Sequence, residues 1–324
     1  MIREKDGIHF EVDGKKFVAD SRSAAGDVNI VSHAHFDHLH QSDSRVVCSE
    51  LTARLAEART GEEVQRHEDH EVELIPSGHI LGSSAALFGG EKKYLYTGDV
   101  SMRDTAYLEG FQPPSADVLV VESTYGIPAY TFPPQKEIEN RIRHFVADNR
   151  DQPLYLFGYS LGKAQKIQKI IEDVAERPVL AHGAVKKMND AVEEASDMDF
   201  QAEPYGENKT KLKEENAILV APSRSSQADW MEKNVEKFGG LKAGFSGWAA
   251  QESFKYRGGY DETFVLSDHC DFDELIELVQ AVDPEEVYTQ HGFDEELASY
   301  LAREPGYNAK ALKKNQTSLS QFQQ

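Results

Sequence analysis

Six short apolar runs in this 324-residue chain each end in a histidine or an acidic residue, and that repeated placement limits the folds open to it. Val28 to Val31 runs into His33-Ala-His-Phe-Asp-His38, Val72 to Pro76 precedes His79, and Tyr94 to Gly98 precedes Asp99. Val118 to Val121 leads into Glu122, Phe264 to Asp268 into His269, and Val287 to Gln290 into His291. Runs of this length, bounded by turn residues, read as buried strands. Strands that end on one edge of a sheet deliver their loops to a common cleft, where side chains are held rigidly enough for chemistry. A lone histidine after a strand is an ordinary turn residue or a satisfied polar group; six loops with one signature form an ensemble.

The loop at residues 33 to 38 carries four candidate metal ligands in six positions. In extended backbone His33 and His35 fall on one side, while Asp37 and His38 turn to the other and serve a second ion. Imidazole with carboxylate, and no thiolate, suits Zn²⁺ or a similar borderline metal and argues against a closed structural zinc site. The donor count is consistent with two ions: His33, His35 and His79 for one, Asp37, His38 and His291 for the other, and Asp99 bridging them. Two such ions, roughly 3.5–4 Å apart and sharing a hydroxide, supply a nucleophile at neutral pH and clamp a phosphate oxygen. Glu122 and His269 then remain for acid–base work, with His269 protonating the leaving group and oriented by Glu122, or by Asp268 or Asp271 nearby.

The net charge of −21, from 56 acidic against 35 basic residues, opposes binding of nucleic acid if spread evenly. The same acidity keeps a protein soluble in a salt-rich cytoplasm, where screening shrinks to about 3 Å at 1 M salt, so a halophilic, cytoplasmic setting is expected. No apolar stretch approaches the roughly 20 residues of a membrane helix, and the Met1-Ile-Arg-Glu-Lys-Asp start lacks a signal-peptide core. Cys48 and Cys270 are too few for a disulfide framework and are expected as reduced, buried thiols.

The first half reads mostly as strands, including one run from His9 to Val18 and one from Val46 to Cys48, with a helix from Leu51 to Thr60. From about residue 134 the pattern becomes βα: helix Gln135 to Asn149, strand Leu154 to Phe157, helix Gly162 to Ala175, strand Val179 to Ala181, strand Ala217 to Val220, and an acidic helix Asp229 to Lys237. The tail returns to strand Thr263 to Leu266, helix Asp271 to Val282 and strand Glu286 to Thr289. The polar stretch from Lys314 to Gln324 is expected to fray. This layout divides the chain at 1–152, 153–260 and 261–324, with the middle block a separate cassette.

These residues resemble the metallo-β-lactamase superfamily, whose His-x-His-x-Asp-His signature is matched by His33-Ala-His-Phe-Asp-His38. The similarity narrows to its β-CASP nuclease branch. Ser77-Gly-His-Ile-Leu-Gly-Ser looks like that branch's third motif, Thr97-Gly-Asp-Val its fourth, Glu122-Ser-Thr-Tyr-Gly its motif A, Ser267-Asp-His-Cys-Asp its motif B and Gln290-His-Gly its motif C. Tyr159-Ser-Leu-Gly-Lys-Ala-Gln and Ala181-His-Gly-Ala are similar to ligase-associated DNA exonucleases and to archaeal homologues of mRNA 3′-end processing factors. The resemblance covers nearly all of residues 20 to 300; the cassette is short for the branch, and Cys270 stands where a small or hydroxylated residue is usual.

What the resemblance implies is an αββα four-layer sandwich with an inserted β-CASP cassette, two zinc ions with manganese as the alternative, and hydrolysis of single-stranded DNA or RNA by metal-bound hydroxide. Asp37, His269 and Glu122 would form the catalytic set, and a DNA ligase, a helicase or RNA-processing proteins are the partners implied. Rival readings are a hydrolase of small esters or thioesters and an inactive subunit of a processing complex.

For substrate contact, Lys163 after a strand-to-helix turn is the favoured cation, with Ser160 beside it and His182 at a similar strand end. Lys166 and Lys169, at helical spacing, read as solvated surface. Tyr125, Tyr130, Phe132 and Trp248 are either core or stacking platforms for bases.

Overall fold

The structure, a computed structural model, describes residues 1–23, 25–39, 44–304 and 306–312; His40 and the expected frayed stretch from 314 to 324 lie outside the described residues. It is mixed α/β, built on three sheets. Strands β1 (Ile2–Lys5), β2 (Gly7–Val12), β3 (Lys15–Ala19) and β4 (Val28–Ile30) form the first, in that order. The run from His9 to Val18 is a hairpin rather than one strand. Asp13 and Gly14 both take positive φ (51° and 80°), the backbone of a tight two-residue turn that matches strand twist.

Helix α1 (Glu50–Thr60) is capped by Ser49 and closed by Gly61 in the left-handed region. The segment from Val46 to Cys48, expected as a strand, makes only isolated bridges, Ile30 with Val47 and Val46 with Arg66. Strands β5 (Val72–Pro76), β6 (Ser84–Phe88), β7 (Tyr94–Tyr96) and β8 (Val118–Ser123) start the second sheet. After helix α2 (Gln135–Asp148) the chain leaves to build a wholly parallel middle sheet.

The middle sheet uses β9 (Leu154–Gly158), β10 (Val179–Ala181), β11 (Glu203–Pro204), β12 (Ile218–Pro222), β13 (Leu241–Phe245) and β14 (Glu262–Phe264), in the order β11-β10-β12-β9-β13-β14. Between these strands lie α3 (Lys163–Ile171), α4 (Gly183–Ala195), the short α5 (Tyr205–Asn208) and α6 (Lys211–Glu214), α7 (Asp229–Phe238) and α8 (Glu252–Gly258). Every residue of β9 is buried because α2 and α3 pack on one face, through Ile142 and Ile167, and Leu212 and Met231 on the other. The strand near residue 263, read from sequence as the start of the final segment, hydrogen-bonds to β13 at the edge of this middle sheet.

The chain then returns through α9 (Phe272–Val282), β15 (Glu286–Gly292), α10 (Asp294–Leu301) and β16 (Asn308–Ala311), completing the second sheet as β16-β15-β8-β7-β6-β5. Along β8 alternate residues face opposite ways. Val120 meets Phe10, Phe17 and Phe88 between the first and second sheets, where the Phe17 and Phe88 rings stack at 4.6 Å. Leu119 and Val121 meet Leu275, Leu278 and Leu297 from α9 and α10 on the far side. The loops leaving β3, β4, β7 and β8 and those leaving β9 and β14 are thereby brought to one cleft.

Candidate metal centre

The loop after β4 starts buried: His33 is fully enclosed, with Nδ1 2.9 Å from Ser32 Oγ. Its Nε2 lies 3.4 Å from Asp99 Oδ2, and His79 Nε2 lies 3.5 Å from the same oxygen. His79 Nε2 is also 3.2 Å from His35 Nδ1. Single donor atoms of His33, His35, His79 and Asp99 all lie within 4.8 Å of one another. Two loops of the middle sheet hold these rings from outside, the carbonyl of Leu161 at 3.2 Å from His35 Nε2 and that of Asp268 at 2.8 Å from His79 Nδ1.

His38 joins the group from the opposite side, its Nε2 3.8 Å from Asp99 Oδ2 and 3.7 Å from Asp37 Oδ2. Its orientation comes from Asp20, whose Oδ2 lies 2.8 Å from His38 Nδ1 and accepts hydrogen bonds from Ser32 Oγ at 2.6 Å and the Tyr96 hydroxyl at 2.7 Å. Asp20 sits directly after β3, with φ 49°. It escaped the sequence reading although it has the same strand-end placement as the residues that were picked out.

The electrostatics of His33, His35 and His79 fit a cation, whereas His38, buried but beside Asp99 and Asp20, is raised to about 10. Burial, and then His38 and His79, hold His33 well below the ordinary histidine value. Burial and then His269 do the same to His79, and burial brings His35 down to about 4. These rings are therefore neutral, the form that ligates. Burial, and then repulsion from Glu122, raises Asp99 above the usual carboxylate range. His33 Nε2 is buried with no hydrogen-bond partner. An orphan imidazole nitrogen aimed at a carboxylate that is strained by its own burial is what a divalent ion would satisfy.

His269 stands beside this cluster, its ring centroid 4.5 Å from that of His79 and its Nδ1 2.8 Å from Glu122 Oε1. Glu122 is itself fixed by the Val100 amide at 2.8 Å and by the Thr124 hydroxyl. Burial works against a charged His269, but Glu122 more than offsets it and lifts the imidazole to about 9. Of the other carboxylates weighed for this role, Asp271 caps α9 and accepts from the Phe132 amide at 2.8 Å, while Asp268 faces two lysines.

The remaining site residues stand at the edge of this cluster or elsewhere; the charges of His38 and His291 both reach Asp37. The Asp37 side chain is 64% exposed. His291 is exposed, with φ 61° at the irregular end of β15, and shares no compact donor group among the described residues. Lys163, expected to touch substrate, is only 2% exposed and pairs with Asp268 at 2.8 Å. Lys166, read as solvated, is fully buried, with Nζ 2.6 Å from Asp268 Oδ1. Amphipathic spacing gave no hint of this, because the surface that α3 presents is covered by a distant loop. Ser160 is half-buried, and its carbonyl accepts from Gln165 Nε2 at 3.2 Å. His182 caps α4 by accepting from the Ala184 amide and stacks on Trp230 at 5.5 Å. Tyr125, Tyr130 and Phe132 are buried together, with Trp248 packed half-buried against them. Tyr159, passed over individually, is 61% exposed and leans over His35 at 6.2 Å.

No family model matches the chain. It is 34% identical over 301 residues to a protein named probable DNA ligase from Opitutus terrae, a match covering 88% of this chain and 28% of that one. It is 26% identical over 308 residues to probable RNase MJ4 from Methanocaldococcus jannaschii, covering 75% of this chain and 67% of the relative. Over 114 residues, 33% of the chain and 14% of the relative, it is 34% identical to cleavage and polyadenylation specificity factor subunit 3 from Dictyostelium discoideum. The chain thus spans well under half the length of the first of these relatives. A solved structure, of a protein of unknown function from Enterococcus faecalis V583, shares the fold at TM-score 0.58 and 15% identity over 81% of this chain and 74% of that one. Relatives of these names are members of the β-CASP branch of the metallo-β-lactamase superfamily, in agreement with the ordered motifs of this chain and the histidine cluster they build.

Proposed function

We propose that the chain is a metal-dependent nuclease that hydrolyses phosphodiester bonds of single-stranded RNA or DNA. The observation that carries this reading is the His269–Glu122 pair at 2.8 Å, set against a cluster of neutral histidines and a buried carboxylate. Such a pair keeps a proton available for the departing oxygen, while the cluster is suited to activating the attacking one.

Under this reading the two open layers of sheet with helices outside them are the αββα sandwich, and the cassette occupies 153–260 with β14 added at its edge. His33, His35 and His79 would hold one divalent ion, Asp37, His38 and His291 the other, and Asp99 both; zinc is favoured by the nitrogen-rich donors, with manganese as the alternative. Ions bound there would make a water acidic enough to attack at neutral pH and would neutralise phosphate charge. The protein's own contributions are to fix those donors through Asp20 and Asp268, and to deliver a proton from His269 Nε2 while Nδ1 stays on Glu122. We assign the chain a cytoplasmic, salt-adapted setting from its acidity; no helix among the described residues is long and apolar enough to cross a membrane. The likeness to a longer protein named as a ligase supports partnership with DNA ligation, and the likeness to a cleavage factor supports RNA processing.

The test is incubation of the zinc-loaded protein, in high salt, with 5′-labelled single-stranded RNA and DNA of one sequence beside Asp99→Ala. A ladder from either strand, absent in the mutant, supports the nuclease. No cleavage of either, with turnover of a thioester instead, overturns it.

A further inference from the structure

A cavity of about 680 Å³ opens at the carboxyl end of the middle sheet. It lies between the loop after β12 and the segment that runs from the end of β13 into α8, and it is lined by Arg224, Arg257, Trp248, Tyr130 and Gln251 among others. The strands that supply it flank β9, where the chain order reverses, and such reversals in parallel sheets are where ligands settle.

In a protein with a net charge of −21, Arg224 and Arg257 are both exposed and neither has a carboxylate partner among the described residues. The one bond from the Arg257 guanidinium is a long 3.4 Å contact to the Ser253 carbonyl of its own helix. Two guanidiniums on one cavity, neither held by a carboxylate, form a donor set for an anion. Tyr260, Ser223 and Ser226 line the same cavity beside Arg224. The charge of Arg224 reaches both Arg59 and His182 and lowers each of them.

The opposite wall is aromatic. Trp248 is half-buried against Tyr130 at 5.2 Å and Tyr125 at 4.9 Å, and Tyr125 in turn meets His269 at 6.0 Å. One ring, that of Tyr125, therefore lies between this wall and the proton donor. Trp248 presents an indole, the strongest platform for stacking and for guanidinium contact, in a cavity with room for a single nucleotide.

We propose that this cavity is a nucleotide subsite, taking one base of a single strand against Trp248 and its phosphate between Arg224 and Arg257. It rests on the nuclease reading for its substrate but makes a separate claim about where the strand is held. The subsite is sequence-tolerant, because guanidiniums read phosphate and an indole stacks on any base.

The experiment uses the full, zinc-loaded chain carrying His269→Ala, so that strands bind without being cut. Fluorescence anisotropy with a labelled single-stranded oligonucleotide is recorded across a salt series. Arg224→Gln and Arg257→Gln should each weaken binding about tenfold and reduce the slope of log affinity against log salt by about 0.7. Lys233→Gln, at an exposed position of α7 outside the cavity, serves as the control and should change neither more than slightly. AMP should displace the strand, with adenosine and inorganic phosphate each at least about tenfold weaker, because only the nucleotide spans both walls. Wild-type-like affinity and slope in both arginine variants, with the parent still binding strands, would overturn the subsite and leave the nuclease standing. Absence of strand binding by the parent chain would overturn both. Displacement by phosphate as readily as by AMP would also overturn the subsite, since the aromatic wall would then contribute nothing.

Discussion

The carbonyl of Asp268 accepts a hydrogen bond at 2.8 Å from His79 Nδ1, 189 residues earlier in the chain, while its carboxylate is gripped by Lys163 at 2.8 Å and Lys166 at 2.6 Å. Both lysines open α3 of the middle sheet, so one aspartate ties that sheet's first helix to a histidine of the metal cluster. Lys166 Nζ adds a bond to the Ser267 carbonyl at 3.0 Å, leaving this loop little freedom. Burial alone would push Asp268 up, but the two ammonium groups drive it far below the usual carboxylate range.

Removing one partner from a buried ion cluster is costly because the other charges lose their compensation. Lys166→Met should therefore destabilise the protein by about 3 kcal/mol, read as a lower denaturant midpoint with an unchanged slope. Its metal affinity should fall as well, since the carbonyl that orients His79 is no longer fixed. An unfolding curve superimposed on that of the parent would show that the cluster contributes nothing to stability. Burial, and then repulsion from Lys166, brings Lys163 down to about 7. Lys163→Met should therefore cost less, because near neutral pH that lysine already carries only part of a charge.

Asp20 holds His38 by Nδ1, the ring nitrogen opposite the one that faces Asp99. Partners of this kind typically alter metal affinity by about 10–100-fold. Asp20→Asn should weaken zinc binding by that margin, measured by competition with a chromophoric chelator, and excess zinc should restore turnover. Loss of activity that excess metal does not restore would point to a folding defect instead.

Asp99 and His269 should separate in function. Asp99→Ala removes the oxygen on which three imidazoles converge and should abolish metal occupancy and cleavage together. His269→Ala should keep its metal, measured by elemental analysis, and lose about 10²–10⁴-fold in turnover. Metal loss in the second variant would contradict the role given to His269.

The His269–Glu122 pair has a defined pH window in the metal-stripped protein. His269 is raised to about 9 against an ordinary value near 6.5, so its stabilisation is complete below pH 6.5 and lost as pH rises through about 9. Glu122 is lowered, its burial outweighed by His269, so its share is present at neutral pH and lost in acid. The imidazole resonances of His269 should titrate near 9 and shift down by more than a unit in Glu122→Gln. A titration near 6.5 in both proteins would remove the basis for its role as proton donor.

What could be read in the chain was local. His33, His35 and His79 were visible because a ligand must follow a strand at short range, and an apolar run followed by a polar residue needs no partner to be recognised. The βα rhythm from residue 134 gave the parallel sheet for the same reason, since its buried strands are continuous apolar runs. The hairpin at Asp13-Gly14 was equally local but was missed because the apolar count ran through the turn.

Asp20, Lys166 and the cavity beside Arg224 were decided by the tertiary structure. Lys166 recurs at the helical spacing of a solvated face, and only the loop around Asp268, about 100 residues later, turns that face inward. The orphaned nitrogen of His33 and the unpaired guanidiniums of Arg224 and Arg257 have no signature in sequence either. Sequence by itself determined which side chains are able to bind metal or move protons, because that is a property of residue type and of the strand just before it. Which of them meet, which are neutralised by a neighbour and which stay free for a ligand depends on burial and long-range pairing, and those exist only once the sheets have packed.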